Sequence, residues 1–313
     1  YKKKDATNWL EKENGVLTGF SWKSGPERDT TGILMWSDVF THDDGDNKIA
    51  IIILDTQGVF DSQTTVTECS YIFALSNLVS SVQIFNISQN IHETDLQALQ
   101  LFTEYGRLVL EETNSKPFQK LQFLIRDWSW DYMNPLGAVG GKQVLDKFMR
   151  ITSDQHECLK SIRQHIISSF SEIECFLLPH PGLKVASNPQ FKGQLDFIEE
   201  NFKDNLKILV PLILSPENLK IKEINGNIIR TKDLITYFKT YAQLLDDDSQ
   251  PKPSSIVDAT AEANHMLAIS EAKDLYISEM NLIKNECYKE DAFKEEHLKI
   301  KNKALNLMVM TII

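Results

Sequence analysis

Asp55-Thr56-Gln57-Gly58 follows directly on an apolar run, Lys48-Ile49-Ala50-Ile51-Ile52-Ile53-Leu54. A carboxylate at the end of a buried strand, with a glycine three residues on, can present an oxygen to a magnesium ion and a backbone N–H to a terminal phosphate. In that role Asp55 holds Mg2+ through a water, and Gly58 lets the main chain approach the phosphate. The same residues taken alone also describe a turn after a strand. No Gly-x-x-x-x-Gly-Lys-Ser/Thr occurs among the 313 residues, so the usual partner of this motif, the phosphate cradle, is not among them.

Three further clusters sit at comparable positions. Arg126-Asp127 ends the apolar segment Leu121–Ile125. A carboxylate there can accept both N1–H and N2–H of guanine while the Arg stem packs on the ring; the plainer alternative is a surface ion pair. Glu27-Arg28-Asp29-Thr30-Thr31-Gly32 offers a threonine hydroxyl, a hard oxygen suited to Mg2+, or simply a loop. Pro179-His180-Pro181-Gly182 carries two prolines that stiffen a loop able to cover a base edge. His180 is read as a loop residue, with no catalytic role. Gly137-Ala138-Val139-Gly140-Gly141-Lys142-Gln143 imitates a phosphate loop but fails it. Three residues stand between Gly137 and Gly141 where four are needed, and Gln143 replaces the metal-binding hydroxyl.

The elements that must position these residues alternate. Lys48–Leu54 reads as one fully buried strand bounded by a turn-rich Asp43–Asn47. Thr67–Leu78 reads as a helix and Ser81–Ile87 as a strand. Thr94–Glu112 is a long helix, with Leu96, Leu99, Leu101-Phe102 and Tyr105 at the 3–4 spacing. Lys120–Ile125 and Glu174–Leu178 are further strands. Strand and helix in this order predict an α/β fold, a mostly parallel sheet with helices on both faces, followed by a helical segment. The acidic, proline-punctuated stretch 246–253 reads as a linker, dividing the chain into 1–245, 246–253 and 254–313. Ser254–Glu290 reads as one helix whose apolar stripe, from Ile256, Ala259, Ala263 and Met266 to Tyr276, Met280 and Ile283, must pack on something. The apolar end, Leu305–Ile313, fits a helix or a tail.

Composition narrows the classes. A net charge of −11 argues against broad binding to a nucleic-acid backbone, which needs a basic footprint. The four cysteines, Cys69, Cys158, Cys175 and Cys287, form no CxxC pair and read as buried free thiols. The first residues carry no signal-peptide pattern, and no span reaches the ~18–20 apolar residues that cross a bilayer.

In this order the pieces resemble the atlastins, dynamin-superfamily GTPases related to the guanylate-binding proteins. The resemblance runs over about residues 15–290: Leu17–Trp22, Thr30–Ile33, Asp55–Gly58 with Phe60–Gln63, Leu101–Leu108, Arg126–Ser129, Leu177–Ala186 and Ile224–Asn227. It implies a GTPase domain with Thr30 as the switch threonine on Mg2+, Asp55 and Gly58 in the second switch, Arg126 and Asp127 reading guanine, and Pro179 and His180 in the loop that caps the base. The implied substrate is GTP with Mg2+. The implied partner is a second G domain, in homotypic fusion of endoplasmic reticulum membranes from their cytosolic face, with the membrane segments after Ile313.

The same resemblance implies that the first strand, the phosphate loop and an internal arginine finger belong before Tyr1, and that 254–313 begins a helical middle domain. The chain is then expected to be a fragment with little GTPase activity alone, since the phosphate loop supplies most charge stabilisation. The alternative is a shortened, non-catalytic isoform that binds G domains of longer partners. A nucleotide-independent helical scaffold leaves the strand-end residues without a role.

Overall fold

The computed structural model describes residues 10, 19–21, 29–45, 47–58, 65–113, 116–246, 254–283 and 290–312. Glu27-Arg28, Phe60–Gln63, the prolines of the expected linker and Cys287 lie outside the described residues. Two compact units divide the chain, Tyr1–Ile229 and Arg230–Ile313.

The first unit is built on three parallel strands, β5 (Val82–Ser88), β6 (Phe118–Arg126) and β7 (Phe170–Leu177). Ahead of them come β1 (Ile33–Met35), β2 (Phe40–Asp44), β3 (Asn47–Ile51), β4 (Leu54–Thr56) and α1 (Val66–Val79). The crossovers that make the sheet parallel are α2 (Glu93–Thr113), between β5 and β6, and α3 (Gly137–Phe148) with α4 (Glu157–Ser169), between β6 and β7. Strand β6 is central, with six of its nine residues buried and none exposed, as suits a parallel strand covered on both faces. Phe73 of α1, Phe85 of β5 and Phe123 of β6 meet edge to face at 5.7 and 5.8 Å. These edge-to-face contacts add to the burial of each ring. A capping box starts α1: the Thr65 hydroxyl accepts from Glu68 N–H, and the Glu68 carboxylate accepts from Thr65 N–H. The expected strands Ser81–Ile87, Lys120–Ile125 and Glu174–Leu178 correspond to β5, β6 and β7.

The segment Lys48–Leu54 departs from expectation. It is no single buried strand but two short ones, each antiparallel. β3 pairs with β2, and β4 pairs with β1 in the register Leu34↔Asp55. Residues Ile49–Thr56 are half-buried rather than buried. Cys158 is likewise exposed, whereas Cys69 and Cys175 are buried.

A strap crosses the starting ends of all three parallel strands. Lys220 pairs with Glu172 at 2.6 Å, and the Gln119 amide donates to Ile221 O at 2.7 Å and accepts from Glu223 N–H at 3.0 Å. Lys222 Nζ donates to Ser80 O at 3.0 Å, at the carbonyl end of α1. The strap then turns in a small hairpin, β8 (Glu223–Ile224) to β9 (Asn227–Ile228), through Asn225 and Gly226 at φ 50° and 77°. Lys222 is half-buried as a residue but enclosed at its amine, and burial pushes its pKa down to about 7 against the opposing pull of Glu223. The unfolded chain therefore holds a proton there that the folded chain gives up between about pH 7 and 10.5. Folding stability should rise across that window, by about 1 kcal/mol per pH unit from this group. Cys175, whose thiol burial pushes up to about 12, opposes this only above pH 9. Urea unfolding between pH 7 and 9 should show the rise in the wild type and lose it in Lys222→Met; an equal slope in both proteins contradicts it.

The second unit holds α7 (Thr231–Asp246), α8 (Ser254–Ile283) and α9 (Glu290–Ile312). Helix α8 packs on α7 and α9 and buries Ile256, Ala259, Ala263, Ala268 and Ala272, four of them alanines that let helices approach. Met266, expected in its apolar stripe, is exposed instead. Tyr241 and Thr260 share a buried hydrogen bond of 2.9 Å, and Tyr276 bonds His297 of α9 at 2.8 Å. The apolar end of the chain is helical as far as Ile312. Among the described residues no helix is long and apolar enough to cross a membrane.

Candidate functional site

Asp55 lies in the middle of β4, and antiparallel pairing with β1 sets it beside the loop that carries Thr30. The Thr30 hydroxyl donates to Asp55 Oδ2 at 2.5 Å, so two hard oxygens from segments 25 residues apart share one spot. Gln57 fastens the arrangement. Its N–H donates to Gly32 O and its side-chain Oε1 accepts from Gly32 N–H, both at 2.9 Å. Gly32 makes the turn with φ 71°, open to glycine at little cost. Beneath, Gln57 Nε2 reaches Cys69 Sγ of α1 at 4.0 Å. Gly58 is exposed, and a Cβ built there meets nothing within 4 Å. Among the described residues, no packing contact requires glycine at 58.

Two oxygen ligands are too few for a protein-made metal cage. Among the described residues no group of three or more His, Cys, Asp or Glu is arranged to hold an ion. The pair suits Mg2+, which is commonly held by one or two protein oxygens and completes its shell with water and phosphate.

The second cluster grows out of the parallel sheet. Register pairs Ile125 of β6 with Leu177 of β7, so Asp127 and Pro179, each two residues further, leave neighbouring strands at one level. Leu178 N–H donates to Ile125 O at 2.8 Å and Trp128 N–H to Leu178 O at 3.1 Å, carrying the pairing past both strand ends. Asp127 has φ 60°, a left-handed conformation that costs roughly 1–3 kcal/mol in a non-glycine residue unless its surroundings enforce it. Here they do: Gln89 N–H holds Arg126 O at 2.7 Å on one side, and the Trp128–Leu178 bond holds the other. The turned carboxylate accepts from the Ser88 hydroxyl at 2.7 Å, and Arg126 Nε donates to Asn86 Oδ1 at 2.6 Å. Arg126 and Asp127 also face one another at 3.8 Å.

Beyond β7, the His180 ring accepts from Gly182 N–H through Nδ1 at 2.9 Å, which folds the Pro179–Gly182 loop on itself. Gly182 has φ 109° and lies against Glu199, whose N–H donates to Pro181 O at 2.9 Å. His180 thus shapes its loop.

The residues singled out in the sequence form two groups. Thr30, Asp55 and Gly58 stand on the antiparallel β1–β4 pair; Arg126, Asp127, Pro179 and His180 stand at the carboxyl ends of β6 and β7. Helix α1 packs against both β4 and β5 and lies between the groups in the chain. Sequence reading missed Gln57, Asn86 and Ser88. Alternation along β5 was the one signal for Asn86 and Ser88: Phe85 and Ile87 are buried while these two polar residues face out at the end of a strand.

The glycines of the imitation phosphate loop have a packing role. A Cβ on Gly140 would lie 1.7 Å from Pro135 O, and one on Gly141 would lie 2.1 Å from Cys175 O. Gly141 lets α3 press against β7, and Gly140 lets it close on the loop that leads into it.

Residues 4–223 match the family model of the guanylate-binding protein N-terminal domain. Atlastin of Drosophila melanogaster is 54% identical over 313 residues, covering 97% of this chain and 57% of its own length. Human Atlastin-2 is 52% identical over 281 residues, 90% of this chain and 48% of its own. Atlastin-1 of Macaca fascicularis is 49% identical over 310 residues, 97% of this chain and 55% of its own. The chain spans about half the length of these curated relatives.

Proposed function

Because the chain belongs to the guanylate-binding protein N-terminal domain family and is an atlastin homologue, we propose that its first unit binds Mg2+–GTP. Guanine would be read by Asp127 and Arg126 and covered by the Pro179–His180 loop, and Mg2+ would meet Thr30 directly and Asp55 through a water. The observation that carries this reading is the pairing of two carboxyl-end loops at one level of the sheet, with the Asp127 carboxylate held by Ser88 and its backbone left-handed. The carboxyl edge of an open α/β sheet is where such ligands bind. Bound Mg2+ would neutralise charge on the β- and γ-phosphate oxygens. The chain's own share is to orient the base, hold two oxygens for the ion, and offer the main chain at Gly58 to the terminal phosphate, where water attacks.

For the whole protein we infer GTP hydrolysis coupled to G-domain dimerisation and homotypic fusion of endoplasmic reticulum membranes, at their cytosolic face, as the atlastin resemblance implies. We retain the division 1–245, 246–253 and 254–313 as the functional one, with the last part opening a helical middle domain. These 313 residues hold no Gly-x-x-x-x-Gly-Lys-Ser/Thr. Their own turnover should therefore be far slower than that of a chain which has one.

Calorimetric titration with GTP and ATP, in Mg2+ and in EDTA, tests the reading. GTP should bind more tightly than ATP, and only in Mg2+ at full strength. Thr30→Ala and Asp55→Ala should each erode the Mg2+ dependence by about tenfold, roughly 1.4 kcal/mol. Equal binding of GTP and ATP, or indifference to Mg2+ in the wild type, would sink it.

A further inference from the structure

We propose that Ser88 is a positioning residue for guanine recognition: its hydroxyl, donating to Asp127 Oδ2 at 2.7 Å, fixes the plane in which the carboxylate meets the base. This rests on the reading of Asp127 given above and extends it to a strand that the base does not touch.

A carboxylate turns broadly about its last torsion. Guanine offers two parallel donors, a ring N–H and the neighbouring exocyclic amine, and both are well met only when the carboxylate lies in their plane. One firm donor on one oxygen removes that freedom. In this chain Oδ2 is engaged by Ser88, with Arg126 Nη1 also near at 3.8 Å, and Oδ1 has no hydrogen-bond partner among the described residues. An ionised oxygen has room for more than one donor, so Ser88 does not block the base.

The bond is also no accident of a mobile side chain. Asp127 reaches Ser88 because its backbone is turned to φ 60°, between two main-chain anchors at Gln89 and Leu178. Asn86, two residues earlier on the same face of β5, holds Arg126 in the same manner at 2.6 Å. Strand β5 thus grips Arg126, the last residue of β6, and Asp127 just beyond it through two successive outward side chains. The chemistry served is a purine with adjacent ring N–H and amine donors. Loss of Ser88 should therefore be felt at the amine, not at the triphosphate.

The test measures affinities of the full chain for GTP, ITP and ATP in Mg2+, ITP being GTP without the exocyclic amine. Ser88→Ala should lower the GTP-over-ITP ratio about tenfold, the effect of one loosened charge-assisted hydrogen bond, with ITP binding little changed. Ser88→Thr, which keeps the hydroxyl, should restore the ratio. An unchanged ratio in Ser88→Ala, while Asp127→Ala abolishes GTP preference, overturns the role of Ser88 alone. A Ser88→Thr protein that folds but behaves as Ser88→Ala overturns it too. A wild type that does not prefer GTP over ATP overturns the reading of Asp127 and this proposal with it.

Discussion

Asp127→Asn should convert a guanine site into a xanthine site. The carboxylate accepts from both N1–H and N2–H of guanine. An amide of the same shape accepts once and turns an N–H2 toward the guanine amine, donor against donor. Two hydrogen bonds to a charged group are worth about 1.5–3 kcal/mol each, so GTP affinity should fall by about a hundredfold or more. Xanthine has a carbonyl where guanine has the amine, and the new N–H2 can donate to it. Hence XTP should outcompete GTP in the variant and lose to it in the wild type. The backbone should not resist: Asn tolerates φ 60° as well as Asp does. The Ser88 hydroxyl remains available to the amide oxygen, which orders the two ends of the amide. Competition between GTP and XTP for each protein is the measurement, and an Asp127→Asn chain that still prefers GTP would refute the assignment.

Gly141→Ala, or Gly140→Ala, should strongly destabilise the first unit. Alanine in a helix normally gains about 1 kcal/mol over glycine. Here each new methyl would stand within about 2 Å of a carbonyl oxygen, that of Cys175 or of Pro135. Both oxygens belong to the main chain, so no side-chain rotation makes room. In Gly141→Ala helix α3 would have to lift from β7, against which Gly137 also bridges to Leu177; in Gly140→Ala it would have to part from the loop that leads into it. Overpacking of this kind costs about 3 kcal/mol or more, and the midpoint of thermal unfolding should drop by about 10 °C. Gly58→Ala is the contrast: with open space at its Cβ and no positive φ, it should leave the midpoint unmoved and weaken only nucleotide binding. A Gly141→Ala protein that melts with the wild type would show that the fit of α3 on β7 is looser than described.

These glycines mark where the sequence ceases to be readable. Spacing and the Gln143 side chain reject Gly137–Gln143 as a phosphate loop, yet nothing local revealed that Gly140 and Gly141 answer to Pro135 and Cys175. The central strand β6 was legible because a strand covered on both faces is largely apolar, and α2 because its leucines recur at helical spacing. The same rule misread Lys48–Leu54. A continuous apolar run does not say whether it pairs with one neighbour or changes partners midway, and here the change at Ile52-Ile53 is dictated by β1 and β2. At the strand ends the residue types were informative: Asp55, Asp127 and Pro179 could be picked out by position. Their supports could not, since Gly32 lies 25 residues from Gln57, and Ser88 lies 39 from Asp127. Separations of that size are closed by the sheet, not by local preference.

Gln57 grips Gly32 through both its main chain and its side chain, two residues from Asp55 on one segment and two from Thr30 on the other. The pair of oxygens is thereby riveted into one body. If Mg2+ binds there as proposed, they would come to it together and leave it together, so capture would be concerted, with no half-assembled stage in which one oxygen waits for the other.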